Sequence, residues 1–134
     1  MRPRFRDLFD AMLDPDPGRA DAAFDAVLFE RADALPELEE LYATTHDPVL
    51  RFYAVQLMGF TEDKDAVPMV ERALNDADAG VRAEACRALE DLRARRSVPL
   101  LEARLDDADP KVRRAAREAL ALLRSGGGKP PTER

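Results

Sequence analysis

A spacing of 31 residues runs through this chain, and no other feature restricts its fold as much. Asp47-Pro48-Val49-Leu50-Arg51 returns as Asp78-Ala79-Gly80-Val81-Arg82 and again as Asp109-Pro110-Lys111-Val112-Arg113. The register continues without a gap: Asp65-Ala66-Val67-Pro68-Met69-Val70-Glu71-Arg72-Ala73-Leu74 falls on Arg96-Ser97-Val98-Pro99-Leu100-Leu101-Glu102-Ala103-Arg104-Leu105. A unit of this size cannot bury its own apolar face, so neighbouring units must stack and share a core.

Within each period the apolar residues recur at helical spacing. Leu50, Ala54, Leu57 and Met58 have equivalents in Val81, Ala85, Ala88 and Leu89 and in Val112, Ala116, Ala119 and Leu120, which predicts a first helix in every copy. Asp47, Asp78 and Asp109 stand where an N-cap acceptor is wanted, and Pro48 and Pro110 occupy the first helical position, where the missing N–H costs nothing. A shorter second helix carries Val67, Val70 and Leu74 or Val98, Leu101 and Leu105, with Asp65 as the expected cap and Pro68 or Pro99 in the first turn. No stretch alternates with period two, so the expectation is all-α. Upstream the pattern weakens: Asp33-Ala34-Leu35-Pro36 opens a second helix, residues 19–31 supply its first, and Phe5, Leu8, Phe9, Met12 and Leu13 line a further helix over residues 3–13. This gives about eight helices in a single repeat domain over 1–124: a helix at 3–13, a divergent repeat at 14–46, repeats at 47–77 and 78–108, and a capping helix at 109–124. Residues 125–134, rich in Gly and Pro, are expected to be a flexible tail.

The block Asp109-Pro110-Lys111-Val112-Arg113-Arg114-Ala115-Ala116, with the Val-Pro pairs that open the second helices, resembles HEAT repeats of the short bacterial type named after phycobilisome lyases. The likeness is close over residues 47–124 and loose over 14–46. It implies an α-solenoid of stacked helix pairs whose second helices line the concave side, and it implies work as a protein-binding scaffold. The alternative it leaves is a regulatory or chaperone-like subunit of a larger complex, related to phycobilin lyase subunits.

Composition narrows the chemistry. The 134 residues suffice for one domain that buries about two thirds of its unfolded surface. Mean hydropathy is −0.42, no apolar run approaches the ~20 residues of a membrane span, and no secretory signal follows Met1, so a cytoplasmic location without membrane contact is expected. The single histidine, His46, and single cysteine, Cys86, provide neither a disulfide nor a metal site. Deoxyhypusine hydroxylases of related architecture hold iron with repeated His-Glu pairs, and here only His46-Asp47 is present. With no nucleophile, metal or acid–base constellation in view, the expectation is no cofactor, no metal and no enzyme activity.

Charge is uneven. Residues 7–46 hold eleven acidic residues against Arg19 and Arg31, whereas from residue 47 onward sixteen bases balance sixteen acids. An acidic third repels phosphate backbones, which argues against nucleic acid and for a protein partner with a basic surface. All eight aromatic residues lie within the first sixty. Phe52 points about 200° from Leu50 on a helical projection, where its siblings are Ala83 and Arg114; either the N-terminal helices cover it or it anchors a partner. Glu37, Glu40, Glu71, Arg72 and Asn75 fall on the polar face of successive second helices. These five and Phe52 are the candidate partner-binding residues. Ala115 and Leu122 are expected on an open edge of the last helix, whose polar outer face favours a monomer.

Overall fold

The computed structural model describes residues 1–125, so the expected flexible tail lies, from Gly126 on, outside the described residues. Eight α-helices and no strand build these residues: α1 (Pro3–Ala11), α2 (Pro17–Glu30), α3 (Leu35–Thr44), α4 (Pro48–Phe60), α5 (Val67–Ala73), α6 (Ala79–Asp91), α7 (Val98–Ala103) and α8 (Pro110–Arg124). The first of them stops two residues short of the expected end, because the chain turns at Met12 and leaves Leu13 exposed.

The repeated aspartates do cap. The Asp47 carboxylate accepts from the backbone N–H of Val49 at 2.8 Å, Asp78 from Val81 at 3.1 Å and Asp109 from Lys111 at 2.8 Å. Asp65 does not. Each second helix is entered through a short 3₁₀ turn, and in the middle repeat the acceptor at its start is Asp63, which takes the Asp65 N–H at 2.9 Å. The prolines Pro36, Pro68 and Pro99 sit at the second position of α3, α5 and α7, where a backbone N–H would have no intrahelical acceptor.

The link from first to second helix passes in each repeat through one residue with positive φ: Arg31 (50°), Glu62 (62°) and Arg93 (53°). Their even spacing shows that the turn is inherited with the repeat, and none of the three is the glycine that such a conformation favours.

α4, α6 and α8 pack side by side as one layer, and α3, α5 and α7 pack chiefly on the first helix that follows them. α4 and α6 approach most closely at Gly59, where an added Cβ would lie 2.9 Å from both Cα and Cβ of Ala88. Leu57, Met58, Val70, Val81, Leu89, Leu101 and Val112 form the shared core.

Because α6 is enclosed on both flanks, its burial is wider than one apolar stripe. Ala83, Glu84 and Cys86 are buried along with Val81 and Leu89. Ala115 on α8 is buried as well, contrary to the open edge expected for it, while Leu122 on the same helix is 43% exposed, as expected. Burial pushes the Cys86 thiol up to about 12, so at neutral pH it is an unreactive packing residue.

Candidate functional site

The acidic strip expected on the second helices is largely committed to holding the protein together. Glu37 is 7% exposed and takes two bonds from the Arg2 guanidinium, at 2.7 and 3.0 Å; this pairing holds its carboxyl below the usual range. Glu71 accepts from Ser97 Oγ at 2.7 Å and from Arg96 at 3.0 Å, joining one repeat to the next. Glu40 lies 3.0 Å from the Met1 amino nitrogen with half its side chain in solvent. Arg72 and Asn75 are exposed as well, and Arg72 forms no ion pair among the described residues, its guanidinium resting against the Met69 sulfur at 3.8 Å. The strip is thus mostly a set of inter-element ties.

A second polar row was missed in the sequence although it has the same period. Asp14, Thr45, Asp76 and Asp107 each precede the aspartate at the start of a first helix by two residues and accept its N–H, at 2.8, 3.1, 2.9 and 2.9 Å; of those four aspartates Asp47, Asp78 and Asp109 cap with their side chains and Asp16 does not. Arg51 reaches across to Asp76 at 3.1 Å, and Arg82 grips Asp107 through two bonds of 2.9 and 3.1 Å. Arg113, the third arginine of the series, donates to the Asp107 and Ala108 carbonyls. The arginines therefore pair with this row and not with the capping aspartates four residues before them. Tyr42 adds a bond to Asp76 at 2.7 Å, and burial together with that carboxylate raises its phenol above the ordinary value. In Asp107 the Arg82 bond dominates and holds the carboxyl low.

The layer of first helices carries a run of grooves that share walls. One of about 270 Å³ is lined by Met12, Ala20, Asp21, Phe24, Tyr53, Gln56 and Phe60. Tyr53 is also a wall of the next, about 300 Å³, with Pro48, Val49, Phe52 and the capping Asp78. Phe52 in turn borders a third of about 260 Å³ that passes over Gly80 and Ala83 to Arg87, Lys111 and Arg114. The aromatic rings are ordered by edge contacts: Phe24 on Tyr53 at 5.7 Å between centroids and Phe52 on Tyr53 at 5.9 Å. Phe52 is neither covered by the N-terminal helices nor fully free; it is half-buried, with its ring shared between two grooves.

A further groove of about 400 Å³ joins this run at Phe60 and is walled by Leu28, Arg31, Gly59, Glu62 and Asp91. Burial raises the Asp91 carboxyl, and Arg31 stands 3.5 Å from Glu62 across the groove mouth. His46 is exposed, and among the described residues no group of three or more His, Cys, Asp or Glu is placed to hold a metal ion. No helix among them is long and apolar enough to cross a membrane.

Stacked helix pairs repeating at fixed spacing, tied at one end by an Arg–Asp row, define an α-solenoid. The family profile for HEAT repeats matches residues 35–121, and the chain belongs to the HEAT-repeat family. No match was found among curated proteins. Among solved structures, human deoxyhypusine hydroxylase in complex with glycerol is similar with a TM-score of 0.74 at 19% identity, over 96% of this chain and 47% of that one. The complex of CpcE and CpcF of phycocyanin lyase from Nostoc sp. is similar with a TM-score of 0.51 at 17% identity, over 89% of this chain and 64% of that one. The chain thus spans about half the length of the first and under two thirds of the second.

One expectation is overturned by these likenesses. The expectation of no enzyme activity rests on missing motifs, yet the architecture is shared with a hydroxylase and with a lyase. A repeat scaffold of this kind is compatible with catalysis, because catalytic groups can be grafted on any fold, so missing motifs do not exclude an enzyme.

Proposed function

We propose that this protein is a helical-repeat docking module that holds a segment of another protein across its layer of first helices, with Phe52 and Tyr53 at the centre. The observation that carries this reading is the continuity of the grooves through those two rings. Aromatic side chains that are already ordered lose little conformational freedom when covered, which suits them to the energetic centre of an interface.

The N-terminal end of the groove run is bordered by Asp21, within the acidic third of the chain, so a basic stretch of the partner belongs at that end. Glu40, Arg72 and Asn75 lie on the second helices and form a lesser contact surface, beside Glu37 and Glu71, whose carboxylates are already held by Arg2 and by Ser97 and Arg96. Affinity capture from the source cell with wild type, Phe52→Ala and Glu40→Lys tests the reading. Phe52→Ala should abolish retention of the partner and lower stability by only about 1 kcal/mol, since the ring is half-exposed. Glu40→Lys should weaken retention modestly. A partner retained equally by Phe52→Ala would overturn the assignment of this face.

A further inference from the structure

The third groove has a shape that follows directly from comparing equivalent positions in the three first helices. Val49, Gly80 and Lys111 occupy one position of the 31-residue period, and Phe52, Ala83 and Arg114 another. The middle helix, α6, thus carries glycine and alanine where its neighbours carry large side chains. The result is a trough running over α6, with its floor at Gly80 and Ala83, an apolar wall of Val49 and Phe52 from α4 and a basic wall of Lys111 and Arg114 from α8. Since packed helices lie about 8–10 Å apart, the two walls are separated by roughly the width of one further helix.

The charges of the trough are not equivalent. Arg87, at its end, is held at 3.0 Å by the buried Glu84 carboxylate; two carboxylates oppose the cations, Glu118 at the rim and Asp78 at the Gly80 end, the latter engaged in capping α6 through the Val81 N–H at 3.1 Å. Lys111 and Arg114 form no ion pair within the described residues. Two unpaired cations thus face an apolar wall across a floor of small residues.

We propose that this trough receives an amphipathic helix of a partner protein, with its apolar edge against Val49 and Phe52 and its acidic edge against Lys111 and Arg114. The inference rests on the docking function proposed above and adds the chemistry of the bound segment. Small floor residues let the incoming backbone approach α6 closely, and i, i+3, i+4 spacing on the partner places apolar and acidic groups on adjoining edges, as helix-in-groove recognition requires. The cations supply orientation: a helix inserted with its edges exchanged would set carboxylates against Phe52 and leave Lys111 and Arg114 facing apolar groups.

The test uses a displayed library of amphipathic helices with randomised flank charges, selected on the intact protein, on Phe52→Ala and on a Lys111→Glu/Arg114→Glu double variant. On wild type, selected helices should carry net acidic flanks, and a synthetic peptide of the leading sequence should lose at least tenfold in affinity on the double variant. On that variant, selection should turn to basic flanks. Helices selected through Phe52 with no charge preference would overturn the acidic-edge assignment while leaving the docking face intact. Binders indifferent to Phe52, or none at all, would overturn both. Sedimentation of the protein alone covers a different occupant: a dimer dispersed by the double variant would show that a second copy fills the trough and would overturn the proposal of a foreign helix.

Discussion

Asp107 is the residue on which most of the polar row converges. Arg82 donates two bonds to it, Arg104 lies 3.7 Å away, and its carboxylate is 4% exposed. Removing it leaves Arg82 half of a buried pair, so Asp107→Ala should cost about 3 kcal/mol. The pH dependence has a definite sign. Because the folded-state value lies below the usual one, the pair's contribution is complete above the unfolded-state pKa of about 3.9 and is lost as pH falls through the lower folded value. Urea midpoints at pH 7 and pH 3 should therefore differ more for wild type than for Asp107→Ala; equal differences would remove this pair from the acid response. Glu62 offers a change in the opposite direction. It holds φ of 62°, and its contact with Arg31 is between side chains 60% and 78% exposed, which contributes little. Glu62→Gly should raise stability by up to about 1 kcal/mol, read as a higher thermal midpoint.

Among the elements, α6 has the least room. Gly59 of α4 faces Ala88 at a distance that admits no Cβ without a shift of backbone. Gly59→Ala should therefore destabilise by about 1–3 kcal/mol through separation of α4 from α6, measured by chemical denaturation, despite alanine's better helix propensity. A neutral result would mean that the layer can slide at that contact. The same enclosure explains why a 100° apolar stripe under-reports what is buried on α6. A helix with neighbours on both flanks and a second helix beneath buries most of its circumference, so Ala83 and Cys86 are inside although they lie off the stripe. Phe52, at the position equivalent to Ala83 on α4, has one flank less tightly covered, and its ring reaches the groove.

For the whole molecule, nearest-neighbour stacking sets where stability resides. α6 contacts α4, α5 and α8, whereas α1 packs chiefly on α2 and is pinned by Arg2 to Glu37 and by Arg4 to Glu30. Native-state hydrogen exchange should show α6 amides opening only with global unfolding and α1 amides through a local opening of lower free energy. Uniform protection along the chain would contradict a stack held by neighbour interfaces.

The 31-residue period contained the helix pairs, the capping aspartates and the buried stripe, because each depends on residues a few positions apart along one helix. The Asp76 and Asp107 row carries the same period and is legible as a repeat, but its pairing with Arg51 and Arg82 is not, because those contacts join residues 25 apart that only stacking brings together. The turn residues Arg31, Glu62 and Arg93 show no local sign, since glycine is the usual mark of positive φ. The free or committed state of each surface carboxylate was decided only in three dimensions. Glu37, Glu40 and Glu71 occupy the same kind of helix face, and each is met within about 3 Å by a group distant in the chain: Arg2, the Met1 amino group, and Arg96 with Ser97; what separates Glu40 is that half its side chain stays in solvent. The trough is likewise a property of assembly: glycine and alanine on α6 are unremarkable until α4 and α8 stand on either side and raise walls above them. Periodicity specifies elements because helical hydrogen bonding and side-chain spacing are local, whereas grooves and ion pairs depend on which faces the stacking brings together.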